Sequence, residues 1–132
     1  MKYMLDTNVC IGLLKNIDSV VEQYWAKKHL GISISSIASA ELYFGAYNSA
    51  NVAKNLHNLR NFLLGPETLE FDDAAANESG SIRERLRRKG TPIGPLDVLI
   101  AAHAKSLGLV LVTNNTREFI RVEGLVIEDW LV

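Results

Sequence analysis

Cysteine, histidine and long apolar runs are scarce in this chain, and each scarcity closes off a class of function. Cys10 is the only cysteine in 132 residues. No intrachain disulfide can form, and a reducing compartment suits the chain. Cys10 stands beside Ile11 in an apolar segment and reads as a buried filler, not a nucleophile. His29, His57 and His103 stand apart, without the spacing of zinc ligands. His103 falls six residues after Asp97 and points elsewhere around a helix, which suits a structural or solvent-facing role. No apolar run approaches the roughly 20 residues of a membrane span. Asp6 comes where a signal peptide would still be apolar, so a cytoplasmic location is expected. Net charge is −1, from 14 Lys and Arg against 15 Asp and Glu. A protein that coats nucleic acid by bulk attraction is thereby disfavoured, although a local basic face is not.

The pattern that is present alternates short apolar runs with helical periodicity. Lys2–Leu5, Ile32–Ile34, Thr68–Phe71, Leu109–Val112 and Leu125–Ile127 read as strands. Leu109–Val112 is continuously apolar, as a central parallel strand should be. Helices are expected from Asp6–Asn8 to about Lys15, over Asp18–His29, after Ser35 or Ser36, and from about Asn51 to Leu64. A long helix should run from Asp72 or Asp73 to Lys89, closed by Gly90. Pro95 opens another, Leu96–Ser106, and a short one follows near Thr116–Phe119. The alternation predicts an α/β domain with a parallel sheet, and the length suits one domain over residues 1–132.

Three acids follow strands or open helices. Asp6 follows the first strand, Glu41 lies early in the helix after the second, and Asp97 lies in the first turn after the proline loop. Asn115 follows the strand that ends at Val112. A parallel sheet places its ligands at that end of its strands. Each acid also has an ordinary reading: Asp6 as an N-cap, Glu41 as a surface acid, Asp97 as a charge favoured by its helix dipole. Glu41 sits among Ile37, Ala38, Ala40, Leu42 and Phe44, where a buried acid without a partner would be costly. Carboxylates that converge would repel unless a cation lay among them, and oxygen ligands suit Mg2+ or Mn2+.

In these segments the chain resembles the PIN-domain ribonucleases, specifically the VapC toxins of toxin–antitoxin pairs. The matching blocks are Met4-Leu5-Asp6-Thr7-Asn8, Ile37 to Ala46, Gly90 to Asp97, Leu111 to Phe119, and the closing Ile127-Glu128-Asp129-Trp130. The resemblance implies a three-layer α/β/α fold with a central parallel sheet and a Mg2+-dependent endoribonuclease in which Mn2+ can substitute. It carries catalytic, metal-holding roles to Asp6, Glu41 and Asp97. Thr7, Asn8 and Thr113 match polar residues near the metal. A fourth family position, often Asp, is Asn115 here; its amide would orient water or RNA. The resemblance also implies a homodimer, a VapB-type antitoxin that covers the site, operator DNA bound only through that antitoxin, and cleavage of transfer RNA, possibly initiator tRNA in its anticodon loop.

Arg83, Arg85, Arg87, Arg88 and Lys89 end the long helix. The helix dipole and a Glu84–Arg88 pair account for part of this charge. The excess suits contact with RNA phosphates or with an acidic antitoxin segment. Tyr43, Phe44, Tyr47 and the Val52/Leu56/Leu59/Leu63 stripe offer apolar area for the core, a dimer or the antitoxin. Three other functions fit parts of the pattern: a housekeeping nuclease in RNA processing, an aspartyl phosphotransferase using Asp6, and a non-enzymatic binding module with a decayed site.

Overall fold

The computed structural model describes residues 1–131. In chain order its elements are β1 (Tyr3–Leu5), α1 (Thr7–Leu14), α2 (Asp18–Lys27), a 3-10 turn (Lys28–Leu30), β2 (Ile32–Ser35), α3 (Ser36–Tyr47), α4 (Val52–Phe62), β3 (Glu67–Leu69), α5 (Asp73–Lys89), α6 (Pro95–Ser106), β4 (Val110–Val112), α7 (Thr116–Phe119) and β5 (Ile127–Glu128). Most boundaries carry their own chemical cause. Asp6, Ser35, Asn51 and Asp72 each accept a backbone N–H at the start of a helix. Such caps contribute typically ~1 kcal/mol each. Gly90 ends α5 in the left-handed conformation, with φ 69°.

The five strands are all parallel in the order β3-β2-β1-β4-β5. The central strand is therefore β1, and β4 lies beside it, which corrects the expectation from the Leu109–Val112 run. Both are buried on two faces, so an apolar run cannot say which of them is in the middle. The last strand also shifts, from Leu125–Ile127 to Ile127–Glu128, because its pairing sets Ile127 against Leu111 and Glu128 against Val112.

Side chains alternate across the sheet, as strand geometry requires. Tyr3, Leu5, Ile34 and Val112 join Val9, Val20, Tyr24, Leu42 and Leu59 in one core beneath α1, α2 and α4. Met4 and Leu111 join Ile82, Leu86, Ile100, Ala101 and Phe119 in a second core beneath α5 and α6. The result is the three-layer α/β/α arrangement. Helix α3 reaches both cores, giving Ala38 to the second and Leu42 and Ala46 to the first. Cys10 is fully buried, and burial pushes its thiol pKa up, so it is a filler as expected. His103 is buried too, its Nδ1 2.8 Å from Ser35 Oγ, the cap of α3. Burial holds its pKa down, and its role is structural. Among the described residues no helix is long and apolar enough to cross a membrane.

Candidate active site

Register brings the first pieces of the site together. Leu5 lies level with Ile34 on one side and Val112 on the other. Asp6 and Thr113, each one residue further on, therefore emerge side by side, and Asp6 N–H donates to Val112 O at 2.8 Å. Asp6 is only 3% exposed. Both its carboxylate oxygens have donors: Thr7 N–H to Oδ1 at 2.8 Å and the Thr113 hydroxyl to Oδ2 at 2.9 Å. Asp6 is thus both the N-cap of α1 and a buried acid oriented from two sides. Burial raises its pKa, the two hydrogen bonds oppose the rise, and Glu41 and Glu118 add to it.

The Thr7 hydroxyl donates to Glu41 Oε1 at 2.9 Å, which ties the start of α1 to α3. Asp97 is half-buried in the first turn of α6. Its pKa is pushed up to about 7 by lost solvation, by a hydrogen bond with Glu118 that one of the two carboxyls must protonate, and by the charges of Asp6, Glu118 and Glu41. Asp6, Glu41 and Asp97, scattered in sequence, therefore feel one another at one end of the sheet.

Glu118 is the member that sequence reasoning missed. It lies on α7, three residues after Asn115, whose Nδ2 donates to Glu118 Oε2 at 2.9 Å. Asn115 N–H donates in turn to Thr113 Oγ1 at 3.0 Å, so Thr113, Asn115 and Glu118 form one hydrogen-bonded chain from Asp6. The available signal was the i,i+3 spacing on a helix beginning just after Asn115. Asn8 is exposed on α1.

The donor set is entirely oxygen, which suits a hard divalent cation and not zinc. Burial is the main cause of the raised Asp97 pKa, and the like charges of Asp6, Glu118 and Glu41, which such a cation would offset, add to it. Among the described residues, no group of three or more His, Cys, Asp or Glu side chains stands close enough together to hold a metal ion as arranged here.

The structure divides the five cations of α5. Arg83 and Arg87 line a groove of about 560 Å3 with Pro92, Ile93 and Pro95, on the loop that leads to Asp97. Arg85 and Lys89 border Arg121 and Glu123 instead. Arg87 and Arg88 both bind Glu84, which holds the Glu84 carboxyl near pKa 2, and Lys89 binds Glu123 at 2.9 Å. These exposed pairs contribute little stability. Of the aromatic residues on α3, Tyr43 packs on the core while Phe44 and Tyr47 are exposed. A second cleft, about 310 Å3, opens between α1, α3 and α4, lined by Ile11, Leu14, Leu42, Ala46 and Leu59 together with Glu41.

At the carboxyl end of the parallel sheet, Asp6 and Asp97 each feel the charges of Glu41 and Glu118, an acidic site of the class that α/β nuclease domains carry. Comparison with known proteins makes the class specific. Residues 3–125 match the PIN domain. The chain is 45% identical over 130 residues to the tRNA(fMet)-specific endonuclease VapC of Shigella flexneri, covering 98% of each chain. It is 46% identical, over the same length and coverage, to the enzyme of that name from Salmonella typhimurium. Among solved structures it resembles the DNA-bound VapBC of Salmonella typhimurium, with TM-score 0.94, 46% identity and 98% of both chains covered. The Rickettsia felis VapBC2 complex, bound to a DNA fragment from its promoter, gives TM-score 0.94 at 38% identity, covering 98% of this chain and 99% of that one. The chain belongs to the PIN-domain family, in its VapC branch.

Proposed function

We propose that this protein is a Mg2+-dependent endoribonuclease toxin that cleaves transfer RNA, with Asp6, Glu41, Asp97 and Glu118 as its acidic centre. The observation that carries this reading is the hydrogen-bonded set that gathers acids from distant parts of the chain: Thr7 and Thr113 hold Asp6, Thr7 holds Glu41, and Asn115 holds Glu118. Asp6, Glu41 and Asp97 would hold the ion, and Mn2+ has the same ligand preference. When bound, the ion neutralises charge that builds on the scissile phosphate and activates water for attack. The chain's own residues do the orienting. Thr7 and Thr113 fix the two oxygens of Asp6, Thr7 also fixes Glu41, and Asn115 fixes Glu118. Asn115 thus acts through Glu118, and its amide stands where a family carboxylate often stands.

The full-length likeness to tRNA(fMet)-specific endonucleases supports transfer RNA, and initiator tRNA first among transfer RNAs, as the substrate. Arg83 and Arg87 line the approach to Asp97 and are read as phosphate contacts, with Arg85, Arg88 and Lys89 supplementing the field. The VapBC structures support a VapB-type antitoxin as partner, with operator DNA reached through it. The apolar cleft that Glu41 shares with Leu42 and Leu59 suits the covering antitoxin segment. The exposed Phe44 and Tyr47 suit a homodimer. Incubating the purified protein with a tRNA pool and Mg2+, then sequencing the new ends, tests the substrate. One dominant cut in initiator tRNA supports it, and uniform cutting of all RNAs contradicts it.

A further inference from the structure

Gly94 is the N-cap residue of α6, with φ −53° and ψ 144°. Any residue adopts that conformation, and it is the one favoured before a proline. The backbone therefore does not demand glycine. Serine, threonine, asparagine or aspartate is the usual choice at such a helix start, yet α6 has no side-chain cap. What the missing side chain leaves is space. A Cβ built on Gly94 would stand 3.0 Å from Asp97 Oδ2, 3.6 Å from its Cγ and 3.9 Å from its Cβ. All three of these nearest atoms belong to Asp97. The Asp97 carboxyl lies tight against the space a Cβ would take, so that Oδ2 would have to give by a few tenths of an ångström, and in its present position it is within hydrogen-bond reach of Glu118 and feels the charges of Asp6 and Glu41.

We propose that Gly94 is a positioning residue for Asp97: by lacking a Cβ it leaves room for the one carboxylate placement that joins the acidic centre. The inference rests on the reading of Asp97 as a cation-holding residue. Oδ2 is the free end of a short side chain, so an added methyl displaces the carboxylate and not the backbone. The fold accepts the methyl and the site does not. Sequence-wise, Gly94 looks like mere loop punctuation ahead of Pro95, and only the backbone angles separate a glycine needed for conformation from one needed for space.

Gly94→Ala and Gly94→Ser are compared with the wild type and Asp97→Asn in three measurements: thermal midpoint without metal, Mn2+ affinity by calorimetry, and kcat and KM on RNA. Gly94→Ser is expected to keep or raise the midpoint because it adds a cap, and Gly94→Ala to stay near the wild-type value, its reduced backbone freedom offsetting the poorer capping of alanine. Their Mn2+ affinity is expected to fall ~10-fold or more, the scale of lost support around a metal ligand. The loss should appear in kcat with KM near wild type. In the Asp97→Asn background, Gly94→Ala should change Mn2+ affinity no further, because the two act as a unit. Unchanged Mn2+ affinity and kcat in Gly94→Ala would overturn the inference. So would a drop in thermal midpoint that parallels the Mn2+ loss and persists in the Asp97→Asn background. Wild-type protein that binds no Mn2+, or Asp97→Asn that binds it normally, would instead overturn the reading of Asp97, and this inference with it.

Discussion

Thr113 donates its hydroxyl to Asp6 Oδ2 at 2.9 Å, across 107 residues of chain. The bond exists because β1 and β4 are parallel neighbours with Leu5 level with Val112. It links the first acid of the chain to the segment that carries Asn115 and Glu118. Replacing Thr113 with Val keeps the shape and removes the donor. Leaving a buried acceptor without its partner costs about 1–3 kcal/mol. Because this bond lowers the Asp6 pKa, its loss should raise that pKa further. Thr113→Val is thus expected to lower the metal-free thermal midpoint at neutral pH and to weaken cleavage by ~10–100-fold, as lost support of a metal ligand does. Calorimetry and single-turnover cleavage check it; wild-type values in both would remove Thr113 from the site.

Asn115 and Glu118 give opposite charge tests. Glu118→Gln removes one of the charges that hold the Asp97 pKa up. The metal-free protein should be as stable or more stable, with cleavage reduced. Asn115→Asp replaces an amide donor 2.9 Å from Glu118 with a like charge. It should lower metal-free stability and enlarge the stabilisation produced by Mg2+, while cleavage persists at saturating Mg2+. Complete inactivity of a folded Asn115→Asp protein would show that the amide itself is required.

The pH dependence has a definite sign. Asp97 takes up its proton near 7 in the fold against an ordinary 3.8, so the folded state binds that proton more tightly. Its contribution to stability is fully present below about pH 4, declines as pH rises to about 7, and is flat above. Burial raises the Asp6 pKa in the same direction. A divalent cation competes with these protons, so Mg2+ should raise the thermal midpoint more at pH 8 than at pH 5.5. Asp97→Asn should shrink that difference. A Mg2+ effect independent of pH would contradict a carboxylate-held ion.

The two faces of the α5 cation cluster are separable. Arg83 and Arg87 line the groove beside the proline loop, whereas Arg85 and Lys89 lie toward Glu123. Replacing the first pair with Gln should weaken RNA binding more than replacing the second. Its log–log salt slope should flatten by up to ~0.7 per lost single-strand phosphate contact. Equal effects of the two pairs would mean that the cluster acts as a diffuse field. Loss of antitoxin binding with RNA binding intact would assign the first pair to the protein partner.

Local chemistry made the elements legible in the sequence. Asp6, Ser35, Asn51 and Asp72 are capping residues by type, and each caps a helix. Parallel alternation and the family blocks likewise led to the observed architecture. Strand order was not legible, because β1 and β4 are both short, apolar and buried, and only long-range pairing makes β1 central. At the site, Asp6, Glu41 and Asp97 could be picked out by their positions after strands. Glu118 could not, because its place beside Asp97 depends on side-chain reach between two segments that the sequence keeps apart. The division of the arginine cluster was hidden for a related reason: Glu84 and Glu123 capture cations by side-chain reach, which sequence spacing indicates for Glu84 but not for Glu123.

The central claim, that one acidic centre on this chain cuts RNA with a divalent cation, is tested most directly by single-turnover RNA cleavage in Mg2+ by the wild type, Asp6→Asn, Glu41→Gln, Asp97→Asn and the triple variant. Asp6→Asn keeps the shape of a residue buried to 3% exposure while removing its charge. Each single variant is expected to fold, to be as stable as the wild type or more so without metal, and to lose cleavage nearly as completely as the triple variant, because residues that serve one ion fail as a unit. Wild-type cleavage by folded Asp6→Asn at saturating Mg2+, or a triple variant whose loss is merely the product of three modest independent factors, would contradict the account.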